Sequence, residues 1–170
     1  MVRSEDDKEQ LYYGQNNFAD EESQKKRGLI ICRGGGDLAT GIVHRLHRSG
    51  FQVLILETGH PAAIRRQVSF SEAVYDKTMT VEGVTAQLIG PVHALNGNGD
   101  RDKNVLVSEI YAAFSCGNIP LLIDPRGDSI RLLKPDVVID AIIAKKNLGT
   151  AIDMAPLVIG IGPGFTAGID

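Results

Sequence analysis

The stretch Leu29–Glu57, LIICRGGGDLATGIVHRLHRSGFQVLILE, decides how the chain is read. An apolar run, a glycine cluster, a helix-patterned segment closed by Gly50, a second apolar run and a terminal acid follow in the order of a βαβ dinucleotide-binding unit. Gly34, Gly36 and Ala39 fill the three small-residue positions of the G-x-G-x-x-G/A pattern, with Gly35 between the first two. Gly34 permits the tight turn from strand to helix, Gly36 lets main-chain N–H groups approach a pyrophosphate, and Ala39 lets the helix lie close to the sheet. The amides of the first helical turn, with the helix dipole behind them, then form an anion site. Glu57 ends the second strand about twenty residues after the glycines, where an acceptor for a ribose hydroxyl belongs. The competing reading is a Rossmann-like scaffold whose glycines serve the turn alone. Asp37 bears on that choice, because an acid here repels phosphate if it faces the ligand and otherwise serves the helix's first turn.

Outward from this unit, the pattern predicts a strand over 29–33 and a helix from Asp37 to Ser49 whose buried stripe is Leu38, Ile42 and Leu46, followed by a strand over 51–57. His44 and His47 lie one turn apart, within reach of a shared metal, but no third ligand is near in sequence and no metal is assigned. Pro61 suits the first position of a short helix carrying Arg65 and Arg66, which either clamp a phosphate or form a solvated face. Ser69 and Glu72 have capping-box spacing, with Ala73 and Val74 facing inward. Thr78–Val81 and Val84–Ile89 read as strands or a hairpin about Glu82-Gly83, and Asn96–Asn104 as a surface loop. Leu106, Ile110, Ala113 and Phe114 mark a helix capped by Gly117. Further strands are expected over 119–124, 136–139 and 157–161, with Arg126–Asp128 as a turn and a second glycine loop from Gly162 to Gly168.

This succession is α/β: a Rossmann-like open, mostly parallel sheet with helices on both faces and a small β-hairpin insertion. In such sheets ligands bind beyond the C-terminal strand ends, where strand order reverses. Gly34–Gly36, Glu57, Asp124, the segment from Asp140 to Asn147 and Gly162–Gly164 all follow strands, so they are candidates for one crevice. Lys145 and Lys146 could neutralise phosphate or serve as surface charge, and the amides around Gly162 and Gly164 could line a second anion pocket or mark a plain turn. Asp140 and Asp153 are the carboxylates that could act as a base, and each could equally cap or start a turn. Cys32 reads as a packed small hydrophobe and Cys116 as an exposed thiol at a helix end, neither with an activating partner.

With 170 residues, 43% of them hydrophobic, and a net charge of −3, the chain is long enough for one domain with a real core. Residues 1–27 are dense in charged and amide side chains and read as a disordered or extension tail, on which Leu11–Tyr13 could dock; the Rossmann-like nucleotide-binding domain is expected over 28–170. The charge is mild and mixed, which argues against a nucleic-acid surface. Apolar runs are strand-length, so no membrane span is expected, and neither an export signal nor a disulfide framework is read, which together suggest a cytoplasmic protein.

Five strings carry a further signal: RGGGDLATG (Arg33–Gly41), AIRRQVSFSEAVYD (Ala63–Asp76), VEGVTA (Val81–Ala86), DAIIAKKNLGT (Asp140–Thr150) and IDMAPLVIGIGPGFTAG (Ile152–Gly168). Together they resemble the YqeB-type accessory proteins of the selenium-dependent molybdenum hydroxylase system, which are distantly similar to the XdhC-type factors that carry molybdenum cofactor. The resemblance implies a maturation factor that binds molybdenum cofactor or its cytosine dinucleotide form and meets a molybdenum hydroxylase apoenzyme, with a homo-oligomer as a further expectation. It also implies a chain that is C-terminally short against its relatives. The alternatives are an NAD- or NADP-dependent oxidoreductase, for which a hydride-transfer site such as a Tyr-x-x-x-Lys pair is missing, and a scaffold that binds only protein.

Overall fold

The computed structural model describes residues 28–93 and 102–169. The 1–27 tail, the Leu11–Tyr13 cluster and most of the Asn96–Asn104 loop lie outside them. In chain order the elements are β1 (Leu29–Arg33), α1 (Asp37–Arg48), β2 (Gln52–Glu57), two 3-10 turns (Arg66–Val68 and Phe70–Glu72), α2 (Ala73–Asp76), β3 (Thr78–Val81), β4 (Val84–Pro91), α3 (Lys103–Ser115), β5 (Ile119–Ile123), α4 (Asp128–Leu133), β6 (Val137–Asp140) and β7 (Leu157–Gly160). None of the described helices is long and apolar enough to cross a membrane.

Seven strands form one sheet in the order β3-β4-β5-β2-β1-β6-β7. Every neighbouring pair is parallel except the β3–β4 hairpin, which is antiparallel. The expected hairpin is therefore present, and β4 joins it to the sheet beside β5. Central strands alternate between two cores because successive side chains leave opposite faces of a strand. Ile30, Cys32, Val53, Ile55 and Ile119 pack with Ala39 and Val43 of α1 and with Phe70 and Ala73 on one face. Ile31, Leu54, Leu56 and Val138 pack with Leu106 and Ile110 of α3 and Ile130 of α4 on the other. Burial of each valine, leucine, isoleucine or phenylalanine among them stabilises the fold by roughly 1.5–3 kcal/mol against leaving it exposed.

Three local expectations are corrected. The α1 stripe is rotated: Ala39, Thr40 and Val43 are buried, Ile42 and Leu46 are packed at the margin, and Leu38 is 59% exposed. Ala39 and Val43 are small enough to let the helix settle directly on β1 and β2, which turns Leu38 outward. Pro61 starts no helix; residues 58–65 are irregular, and the first 3-10 turn begins at Arg66. Ser69 and Glu72 form no capping box, since the Ser69 hydroxyl donates to the Arg65 carbonyl and Glu72 is drawn away to Arg66.

Candidate functional site

The chain runs from β1 to β2 on one side and later places β6 on the other, so the sheet's switch point lies between β1 and β6. A cleft of about 470 Å³ opens there, lined by Gly34 and residues 36–39, by Glu57 at the end of β2 with Thr58 and residues 60–64 after it, and by Ala141–Ile143 beyond β6. That volume lies within the usual range of small-molecule clefts.

The glycine loop is shaped by its neighbours. Gly34 has φ +97°, and a Cβ there would sit 2.9 Å from the Ala141 carbonyl oxygen, so a side chain is excluded by both conformation and space. Its amide donates to the Leu56 carbonyl at 2.8 Å. Gly35 is wedged from behind, because the Gly35 carbonyl accepts from the Ser71 amide (2.8 Å) and the Thr40 hydroxyl (3.1 Å). Thr40 Oγ1 in turn accepts from the Phe70 amide at 2.9 Å, so the turn after β2 staples the loop to α1. Gly36 differs from both: a Cβ there would meet nothing within 4 Å, leaving the start of α1 open to the cleft.

Glu57 does not extend freely from its strand. Its Oε2 accepts from the Gly35 amide (2.8 Å) and its Oε1 from the Thr58 amide (2.7 Å). A carboxylate oxygen has more than one lone-pair site, so the group keeps acceptor capacity toward the cleft it lines. Asp37 stands at the first position of α1, where Oδ1 accepts from the Leu38 amide and Oδ2 pairs with Arg65 Nε at 2.8 Å. Arg65 thus offsets the acid that would otherwise oppose an anion. Arg66 is bound to Glu72, with Nη2 at 2.6 Å from Oε2, and its guanidinium lies 5.7 Å from the Tyr75 ring centroid. Both arginines are thus paired with acids, and neither lines the cleft.

Asp140 and Asp124 are engaged in hydrogen bonds within the protein. Both Asp140 oxygens accept hydrogen bonds, Oδ1 from the Ile142 amide at 3.0 Å and Oδ2 from the Thr150 hydroxyl at 2.5 Å, and Oδ2 also pairs with Arg33 at 3.6 Å. Arg33 and Asp140 are both buried, and Arg33 further donates to Thr150 Oγ1 and to the carbonyls of Pro125 and Leu148. Asp124 caps α4: its oxygens accept from the amides of Gly127, Asp128 and Ser129 and from the Ser129 hydroxyl. Lys145 and Lys146 do not line the cleft. A Cβ at Gly164 would lie 2.7 Å from the Lys146 carbonyl carbon, and one at Gly162 would lie 3.5 Å from the Ile143 Cα. The second glycine loop is therefore packed against the segment that follows β6. Asp153 lines a larger basin of about 1030 Å³ between α4 and residues 149–156. That basin contains none of Gly34, Gly36 and Glu57 and lies away from the switch point, so we place the site at the smaller cleft.

Sequence reasoning did not single out Ser71, Thr58, Ile64, Ile142 and Ile143 as site residues, though all line the cleft. Ile142 and Ile143 follow a strand end, a signal that pointed to their segment. Ser71 reaches the site through the packing of the turn after β2, which no spacing rule announces.

Burial drives the Cys32 thiol up to about 12, with the charges of Asp140 and Glu57 adding to the effect, so it stays protonated in the folded protein. Among the described residues no group of three or more His, Cys, Asp or Glu side chains is placed to hold a metal ion.

Over 142 residues the chain is 44% identical to the uncharacterized protein YqeB of Escherichia coli (strain K12). The chain is related to YqeB. The matched stretch covers 84% of this chain and 24% of YqeB, so the chain spans about a quarter of the length of the curated relative. No family model and no solved structure matches the chain. The kinship read from RGGGDLATG and the four other strings therefore holds as kinship to YqeB.

Proposed function

We propose that this YqeB relative binds a dinucleotide-type ligand, molybdenum cofactor or its cytosine dinucleotide form, in the cleft at the β1–β6 switch point, as an accessory factor in maturing a molybdenum hydroxylase. The observation that carries the ligand reading is the open side of Gly36 at the start of the 12-residue helix α1, with the Glu57 carboxylate fixed at the same cleft. With Arg65 and Arg66 engaged by acids, the charge of a diphosphate would be met by main-chain amides and the helix dipole. Glu57 would accept from a ribose hydroxyl and would repel a phosphate in its place, which favours an unphosphorylated ribose. The hydroxylase partner rests on the resemblance alone, and no bond-making residue is assigned: the role is to bind and hand over.

Calorimetric titration with molybdenum cofactor, CTP, NAD and NADP tests this, alongside the melting-temperature rise that a native-state ligand causes by mass action. Binding of molybdenum cofactor or CTP in preference to the nicotinamides is expected. Preference for NAD or NADP would favour an oxidoreductase, and silence from all four would favour a protein-binding scaffold. Gly36→Val should abolish the shift while leaving the ligand-free protein folded, because the added side chain enters open space.

A further inference from the structure

The rim of the cleft is apolar in a way that folding alone does not require. Leu38 is 59% exposed, Ile64 98%, Ile142 36% and Ile143 37%, and all four line this one cleft. They come from three separate places, the first turn of α1, the irregular 58–65 segment and the segment after β6. Ile143 also has φ +60°. A β-branched residue in the left-handed region is an outlier that persists only where its surroundings over-determine it. Here they do: Asp140 fixes the Ile142 amide, and Gly162 and Gly164 pack onto the backbone of residues 143–146 so closely that a Cβ at Gly164 would collide with it. The second glycine loop is thus a buttress that holds a strained residue at the edge of the cleft.

Taking the ligand reading above as its basis, we propose that Leu38, Ile64, Ile142 and Ile143 form a seat for the flat heterocyclic ring of the ligand, and that the strain at Ile143 is kept because it sets one wall of that seat. Four aliphatic side chains lining one cleft offer dispersion contacts to a planar ring and no fixed hydrogen-bonding pattern. The seat therefore selects for the presence of a ring, while Glu57 serves the sugar.

The test compares molybdenum cofactor, CTP, NAD and NADP, which carry a flat heterocyclic base, with ribose 5-phosphate, which carries only its sugar, by calorimetry on the full chain. The wild-type protein should bind at least one base-bearing probe more tightly than ribose 5-phosphate. Ile143→Gly should weaken that probe by on the order of tenfold, as expected for one lost apolar contact, and leave ribose 5-phosphate unchanged. Its ligand-free melting temperature should stay level or rise, since glycine adopts positive φ without strain. Ile64→Ser, at a position almost wholly exposed, should weaken the same probe without a folding cost. Equal binding of ribose 5-phosphate and the base-bearing probes, or full affinity in both variants, would overturn the seat and leave the cleft as a ligand site. Failure of every probe to bind the wild-type protein would remove both.

Discussion

Arg33 carries a guanidinium into the interior and leaves no part of it to water, being 1% exposed. Its partners come from two loops, Pro125 after β5 and Leu148 with Thr150 after β6, and the Asp140 carboxylate completes the group. Removing one member of a buried ion pair strands the other, at a cost of about 3–5 kcal/mol. Asp140→Ala should therefore destabilise the protein by about that amount in urea unfolding, far more than a surface change of the same type. The cysteines give a second residue-scale outcome. Cys32 is buried with its thiol pKa pushed up to about 12, whereas Cys116 is exposed. A thiol-reactive dye at neutral pH should label Cys116 in the native protein and Cys32 only after denaturation. The sequence shows why these roles were unequally legible. Cys32 inside an apolar strand declares its own burial, but Arg33 at a strand's end and Asp140 at another carry no mark of pairing, because the fold alone brings them together.

At the scale of elements, the βαβ unit was readable because glycine spacing, apolar runs and a terminal acid each constrain the same few residues. The position of the α1 stripe was less so. Leu38, Ile42 and Leu46 satisfy helical periodicity, yet the sheet takes the smaller Ala39 and Val43, since close approach outweighs the burial of one leucine. Likewise the acid of a capping box was visible, but not the arginine that takes it away. The start of α4 yields a pH prediction. A hydrogen bond from His93 and, beside it, contacts with Arg126 hold the Asp128 carboxyl below its ordinary value of 3.8. The folded state then binds this proton less readily than the unfolded chain, so the pair's contribution is present above the ordinary value and is lost as pH falls through the depressed one. In acid-unfolding series, Asp128→Asn should lie below the parent in stability above the ordinary carboxyl value and converge with it as pH falls through the depressed one, by a small amount because the pair is partly exposed.

For the molecule as a whole, stability is graded from the centre of the sheet to its edges. β2 is buried from Val53 to Leu56 and lies between β1 and β5, while β3 and β7 stand at the margins with exposed residues along them. Native-state hydrogen exchange should accordingly be slowest for amides of β1, β2 and β5 and much faster for β3 and β7. Uniform protection across all seven strands would contradict the gradient. The candidate site spans the stable middle of this order, anchored on β1, β2 and β6. The sheet and its hairpin could be read from strand-length apolar runs, whereas the apolar rim could not, because exposure is a property of the assembled surface and not of any local pattern.

The bond from the Gly35 amide to Glu57 has a kinetic implication. It fixes the bend in the folded chain, so a ligand bound as proposed above would meet a finished receptor and spend little of its interaction energy on organising the chain there. Stopped-flow association rates should then climb in direct proportion to concentration, without the plateau that a slow opening step imposes.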